Sequence, residues 1–338
     1  MTIRPDAPPP RDPSSEPNPS VASDSLPMIP DKGLAKVIRQ LAAMGPPLSE
    51  MTPQEARDAA AAFFELPATP SETLIVTDLE IPSPTQPIRA KLYRPSGKEP
   101  CPLFVTFHGG GWVLGSLAMF DREARAIATH SRCAVLSIDY RLAPEHPFPA
   151  AVEDAFTAVE WAAENAASLG CDPTRLGVAG SSAGGNLATV CALLARDQGR
   201  PAIRHQFLVY PVTDCDFERP TMHAFATGLL LERQDMIYFW NHYCPDLAQR
   251  KDFRASPIHA PSLVGMPSAT ILLAAMDPLL DEGLDYAARL KEAGVRTDLR
   301  VGPHMIHGFF DMGAYSEAAA DEIKRACECA GEAMESKR

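Results

Sequence analysis

The 338-residue chain has no apolar run of the roughly 18 residues that a membrane-spanning helix needs. Its N-terminus, MTIRPDAPPPRDPSS, has no apolar core of the kind a secretory signal requires. The first absence argues against a membrane protein, and the second makes a cytoplasmic location the expectation. Positive charge is also scarce, with 31 Lys and Arg against 43 Asp and Glu, a formal net charge of −12. Phosphate backbones call for a clustered basic surface, so nucleic acid is not an expected partner. The eight cysteines are scattered through a long chain, which argues against a disulfide framework. Cys327 and Cys329 form a C-x-C in a charged helical tail with no histidine nearby, too few ligands for a metal site.

Proline, in contrast, is abundant, at 33 residues. Nine of these fall between Pro5 and Pro30, so residues 1–30 read as an extended or disordered arm. Residues 31–68 hold two helical patterns. Leu34, Val37, Ile38, Leu41 and Ala42 recur at helical spacing, and Thr52-Pro53-Gln54-Glu55 opens a second helix with an N-cap, an N1 proline and an N3 acid. From residue 69 short apolar strands alternate with longer helices. Strands are expected near 74–81, 86–94, 103–107, 133–138, 175–179, 206–210, 270–275 and 297–302, and helices near 119–131, 150–168, 183–198, 281–294 and 314–332. The pattern predicts one α/β domain over 69–212 and 263–338. Its sheet is mostly parallel, eight-stranded and flanked by helices, and the first two strands form an antiparallel edge. Residues 213–262 break the alternation, are too long for an ordinary connection and contain a helix at 232–243, so they read as an inserted cap.

Gly180-Ser181-Ser182-Ala183-Gly184 lies between a predicted strand and a predicted helix. A serine on that turn is strained and exposed, and glycine two residues to either side avoids collision with neighbouring backbone. His108-Gly109-Gly110-Gly111-Trp112 directly follows the strand LFVTF, and three glycines let backbone N–H groups face a developing oxyanion. A phosphate cradle is the weaker alternative, since no G-x-x-x-x-G-K-[ST] is present. A serine nucleophile needs a base and a group that orients the base. His307 follows the last predicted strand, and Gly308 after it favours an exposed, turn-mounted ring; His304 on the same loop is the rival. Asp277 follows the strand ATILLAAM, in the chain order Ser, Asp, His. Asp281, Glu282 and Asp285 fall in the first turn of the next helix, where capping and compensation of the helix dipole explain them.

Five blocks, HGGGW (108–112), DYRLAPEHPFPAAVED (139–154), GSSAGGN (180–186), DPLLDEG (277–283) and MIHGF (305–309), carry a resemblance over about residues 70–335. The chain resembles the hormone-sensitive-lipase-like α/β-hydrolases, the bacterial carboxylesterases also called family IV. The resemblance implies an α/β-hydrolase core with a helical cap built from the 31–68 helices and the 213–262 insertion. It implies Ser182 as nucleophile, His307 as base and Asp277 as its orienter, with the N–H groups of Gly109, Gly110 and Ala183 as oxyanion hole. The expected activity is hydrolysis of short- to medium-chain carboxylic esters by a monomer or homodimer, with no metal or organic cofactor and a small-molecule ester as partner. Trp112, Ser181, Phe225, Leu230 and Phe239 are candidate pocket residues, along with Met222, Leu229, Leu231, Met236 and Trp240. Ser181 stands where the family usually has Asp or Thr, and His304 where it commonly has Gly. An amidase, arylamide deacetylase or lactonase would use the same triad. A non-catalytic receptor of this family would have lost the histidine that is present here.

Overall fold

The computed structural model describes residues 30–43, 45–65, 73–97 and 100–336. The expected arm at 1–30 therefore falls almost wholly outside the described residues. In chain order the strands are β1 (Leu74–Ile81), β2 (Ile88–Pro95), β3 (Cys101–Phe107), β4 (Ala134–Ile138), β5 (Cys171–Ser181), β6 (His205–Val209), β7 (Ser268–Met276) and β8 (Thr297–Ile306). The helices are α1 (Lys32–Ala42), α2 (Pro53–Phe64), α3 (Asp121–Ser131), α4 (Ala150–Asn165), α5 (Ala183–Gln198), α6 (Pro220–Ala224), α7 (Arg233–Tyr243), α8 (Leu280–Glu292) and α9 (Glu317–Glu335).

All eight strands join one sheet in the order β1-β2-β4-β3-β5-β6-β7-β8. β2 pairs antiparallel with both of its neighbours, and every pairing from β4 to β8 is parallel. Burial explains the apolar strands. β4 and β6 are buried at every position, as strands covered on both faces must be. Two separate apolar clusters line the two faces. One draws on α4, α5, α7 and α8, and the other on α1, α3 and α9. Each large apolar side chain buried there contributes about 1.5–3 kcal/mol. Parallel strands bring their C-terminal ends to one edge, where Phe107, Ser181, Met276 and Ile306 each lead into a loop. β8 runs four residues beyond its expected end, with a register shift against β7 between Ala274 and Met276. Met305 and Ile306 are both buried there, which carries the strand up to His307.

The two N-terminal helices are tied to this edge. Thr52 and Glu55 form the expected capping box at the start of α2. Arg57 on α2 then donates to the carbonyls of Val113 (2.8 Å) and Ala143 (2.8 Å) and grips Glu145 with two nitrogens. The segment between β6 and β7 holds α6 and α7 and is anchored from α5. Asn186 Nδ2 donates to Val212 O (3.0 Å) and Ala255 O (2.8 Å), near the two ends of the segment.

The acids at the start of α8 differ from expectation. α8 has no side-chain N-cap bond, because its N-cap is Leu279, and the carboxylates of its first two turns instead reach across to the incoming segment. Glu282 Oε1 accepts from Thr213 N (2.6 Å) and Asp214 N (3.2 Å), Asp281 accepts from Thr221 N (2.9 Å), and Asp285 pairs with Arg219 (2.6 Å). These N–H groups belong to a chain leaving the sheet, so without the acids they would be buried unpaired. Glu282 is 0% exposed. Replacing it by Ala should destabilise the fold by about 2–4 kcal/mol, since two enclosed N–H donors lose their acceptor. Gln, which keeps one acceptor oxygen, should cost less than half as much. Urea unfolding of the two variants beside the parent measures the difference, and equal costs would show that the carboxyl does not carry these bonds.

Candidate active site

β5 ends at Ser181 and α5 begins at Ala183, so Ser182 makes the turn between them at φ 54° and ψ −119°. A non-glycine residue holds that conformation only where its surroundings force it. The flanking glycines have a steric cause. A Cβ on Gly180 would lie 2.4 Å from the Gly184 backbone, and one on Gly184 would lie 1.8 Å from Phe107 O. The first turn of α5 is thus pressed against the end of β3, where the 108–112 loop begins. In that loop Gly110 has φ 102° and Gly111 has φ 60°. Side chains there would strike Leu114 O (2.4 Å) and the Phe239 ring (2.2 Å). His108 braces the loop from beneath. Its Nδ1 contacts Gly109 O at 2.8 Å, its ring stacks on Tyr140 at 4.3 Å, and Tyr140 donates its hydroxyl to His108 O at 2.8 Å.

Asp277 and His307 follow directly on the ends of β7 and β8. His307 Nδ1 lies 2.7 Å from Asp277 Oδ2, and Nε2 lies 3.0 Å from Ser182 Oγ. A carboxylate only accepts, so Nδ1 carries the proton and Nε2 is left to accept from the serine hydroxyl. The second carboxylate oxygen of Asp277 accepts from Leu279 N at 2.8 Å, which fixes its plane. This chain of contacts can take a proton from Ser182 and stabilise the imidazolium that results. Contrary to the expected exposed ring, His307 is 8% exposed, because Tyr210 packs against it with ring centres 4.4 Å apart. His304 lies within β8 at φ 60°, with an exposed side chain.

A cavity of about 530 Å³ opens above Ser182. Its floor is Gly109, Gly110, Gly111, Ser182 and His307. α1, α2 and the 45–51 segment, with Ile38, Leu41, Met51 and Phe64, form one wall, and residues 228–239 another. Of the expected pocket residues, Ser181, Leu229, Leu230, Leu231 and Phe239 line it. Trp112 does not. It is 0% exposed and stacks on Tyr243 at 4.0 Å, as a core side chain between the loop and α7. Phe225 also stays out, packed against the apolar cluster of the α3 and α9 face. Met222, Met236 and Trp240 are buried and outside the lining too. Ala183 opens α5 beside Ser182 and is fully buried. Among the described residues no group of three His, Cys, Asp or Glu stands close enough to hold a metal ion.

Three groups near the site were not singled out from the sequence: Tyr210, Glu123 and Asp311. Tyr210 was within reach, since it follows the strand HQFLV at the same edge as the other site residues. Glu123 had no signal, because a helix beginning DREARA does not show which acid turns inward. Glu123 is 3% exposed and accepts the Ser181 hydroxyl at 2.6 Å. Burial and the nearby Asp311 hold its carboxyl well above the usual range, against the opposing effect of the Ser181 bond. Asp311 presents an edge to the cavity while its Oδ1 is enclosed without a partner. Burial pushes its pKa up to about 7, with Arg122 pulling the other way.

Residues 104–311 match the family described as alpha/beta hydrolase fold. The chain is 46% identical over 257 residues to the carboxylic ester hydrolase LipN of Mycobacterium tuberculosis, covering 73% of this chain and 68% of that one. It is 39% identical to an ethyl acetate hydrolase of Pseudomonas putida, over 71% of this chain and 76% of the relative. A thermostable esterase from Pseudomonas putida superposes with a TM-score of 0.87 at 33% identity, covering 93% of this chain and 100% of that structure.

Asp311 yields a prediction about stability. It faces Glu123 and Arg122 from α3 and Tyr210 from the end of β6. A carboxyl whose folded-state pKa is raised binds its proton more tightly folded than unfolded. Its favourable contribution is complete below the unfolded value of roughly 4 and is lost as pH rises through about 7. Asp311→Asn should therefore flatten the fall in unfolding midpoint across that range. Thermal melts of parent and variant from pH 4.5 to 7.5 check this, and parallel slopes would show an ordinary carboxyl.

Proposed function

The chain belongs to the α/β-hydrolase family, in its hormone-sensitive-lipase-like branch, and on that premise we propose that it is a serine carboxylesterase acting on short- to medium-chain esters. The observation that carries this reading is the unbroken chain of contacts from Ser182 Oγ through His307 to Asp277 Oδ2. In the proposed reaction Ser182 attacks the ester carbonyl as His307 Nε2 accepts its proton. The N–H groups of Gly109, Gly110 and Ala183 gather the oxyanion. His307 then protonates the departing alcohol, and the same imidazole activates the water that hydrolyses the acyl-enzyme. Asp277 keeps Nδ1 protonated throughout and offsets the imidazolium charge.

Residues 31–68 and 213–262 serve in this reading as a cap that sets substrate size, with the 228–239 stretch as the part that meets substrate. A cavity of about 530 Å³ with mostly apolar walls suits an acyl group of modest length. The ester named for the Pseudomonas putida relative, ethyl acetate, supports the short end of that range. No helix among the described residues is long and apolar enough to cross a membrane. The eight cysteines are all free thiols, which fits the reducing cytosol we propose as its location.

The decisive experiment is a panel of p-nitrophenyl esters from two to sixteen carbons. Activity should peak at or below about eight acyl carbons, and a maximum at sixteen would turn the reading towards a lipase. Ser182→Ala and His307→Ala should each lower kcat by about 10⁴- to 10⁶-fold with the fold intact, and Asp277→Asn by roughly 10⁴-fold. A serine-directed organophosphate should label Ser182 alone; labelling elsewhere, or full turnover by Ser182→Ala, would defeat the assignment. Gly110→Val, which drives a side chain into Leu114 O, should slow turnover by about 10²- to 10³-fold if its amide serves the oxyanion.

A further inference from the structure

Glu123 is tied to the residue beside the nucleophile without belonging to the triad. Its Oε2 accepts the hydroxyl of Ser181, the residue directly before the nucleophile, at 2.6 Å. Both partners are buried, at 3% and 1% exposure, and in such surroundings a hydrogen bond is costly to break. The Ser181 hydroxyl also lies against the oxyanion loop. A Cβ added to Gly109 would lie 3.2 Å from Ser181 Oγ and 3.3 Å from Ser181 O, so little space separates this glycine from the hydroxyl that Glu123 holds. Asp311, four residues beyond His307, acts electrostatically on Glu123 and disfavours its charged form. Among the described residues neither acid forms an ion pair, and Arg122 acts on Asp311 only at longer range. Burial and the neighbouring acid both favour the uncharged form of Glu123, which still offers an acceptor oxygen to Ser181.

We propose that Glu123 is a positioning residue for the reaction: by holding the Ser181 hydroxyl it fixes the separation between Ser182 Oγ and the amides of Gly109 and Gly110. The proposal rests on the reading of Ser182 as nucleophile. Reaction geometry is steep in distance, and a displacement of about 1 Å costs on the order of 10²-fold. The apolar walls that bind substrate do not depend on Ser181. Loss of the tether should therefore lower kcat and leave KM nearly unchanged, the sign of an interaction used only at the transition state.

The test uses the full chain with p-nitrophenyl butyrate, comparing Glu123→Gln, Glu123→Ala, Ser181→Ala and the double alanine variant, with a melting curve for each. Glu123→Gln keeps an acceptor oxygen for Ser181 and should stay within about threefold of the parent kcat. Either alanine variant should lose about 10- to 100-fold in kcat with KM within about threefold. The double variant should be no slower than the worse single one, because both remove the same bond. Wild-type kcat in Ser181→Ala overturns the proposal, as do additive losses in the double variant or a Gln variant as slow as Ala. Should Glu123→Ala fail to fold, Ser181→Ala and Glu123→Gln still decide the matter, since each changes little volume. A parent enzyme that hydrolyses no ester would instead sink the esterase reading itself. Hydrolysis that is lost in Ser182→Ala but intact in Ser181→Ala sinks only the role of Glu123.

Discussion

The site depends on one backbone contact, where the first turn of α5 lies so close to the end of β3 that Gly184 has no room for a Cβ beside Phe107 O. Two strands pairing side by side would hold their C-terminal loops apart by a strand spacing, about 4.8 Å. Pressing α5 onto β3 closes that gap. It sets the turn at Ser182 beside the 108–112 loop and lets one enclosure contain both. The unfavourable φ of Ser182 is then a consequence of the close approach, and the end of β6 and the residues just after it support the turn through Ser182 N to Val209 O at 2.9 Å and Val212 N to Ser182 O at 3.1 Å.

Around that contact the molecule is braced from several directions. Tyr140 and His108 hold the loop from below, Arg57 ties α2 to the carbonyl of Val113 just beyond it, and Asn186 fastens the segment between β6 and β7. The α8 acids complete the set. Asp281 and Glu282 lie in the first turn of the helix that follows Asp277, so the carboxylate facing His307 and those holding Thr213, Asp214 and Thr221 leave the sheet on the same stretch of chain.

Much of this is legible in the sequence. G-S-S-A-G between strand and helix, H-G-G-G-W after a strand, and Asp277 and His307 after the last two strands are local patterns whose meaning comes from position along the chain. Periodicity located the strands because their burial is nearly complete. Direction was harder to read. Trp112 was expected to face substrate from its place beside the glycines, yet its φ of 59° turns the ring under the loop onto Tyr243. Glu282 looked like a capping acid because sequence shows which turn it occupies and not which distant N–H groups lie opposite. Glu123 and Ser181 are 58 positions apart, and neither residue type hints at the other. Pairings of that kind arise from tertiary packing, which leaves no periodic trace.

The composition of the cavity has a consequence for the end of the catalytic cycle. Its lining includes Glu232, Asp235 and Asp311, and no lysine or arginine among the described residues. An ester enters such a space as a neutral molecule and is at ease among apolar walls. Hydrolysis turns its acyl half into a carboxylate, which finds no cation to pair with and loses its hydration if it stays. The enclosure that accepts the reactant therefore disfavours what the reactant becomes. Apart from the amides proposed for the oxyanion and the triad histidine, the lining offers that charge nothing to hold it, which favours release of the acid over its retention.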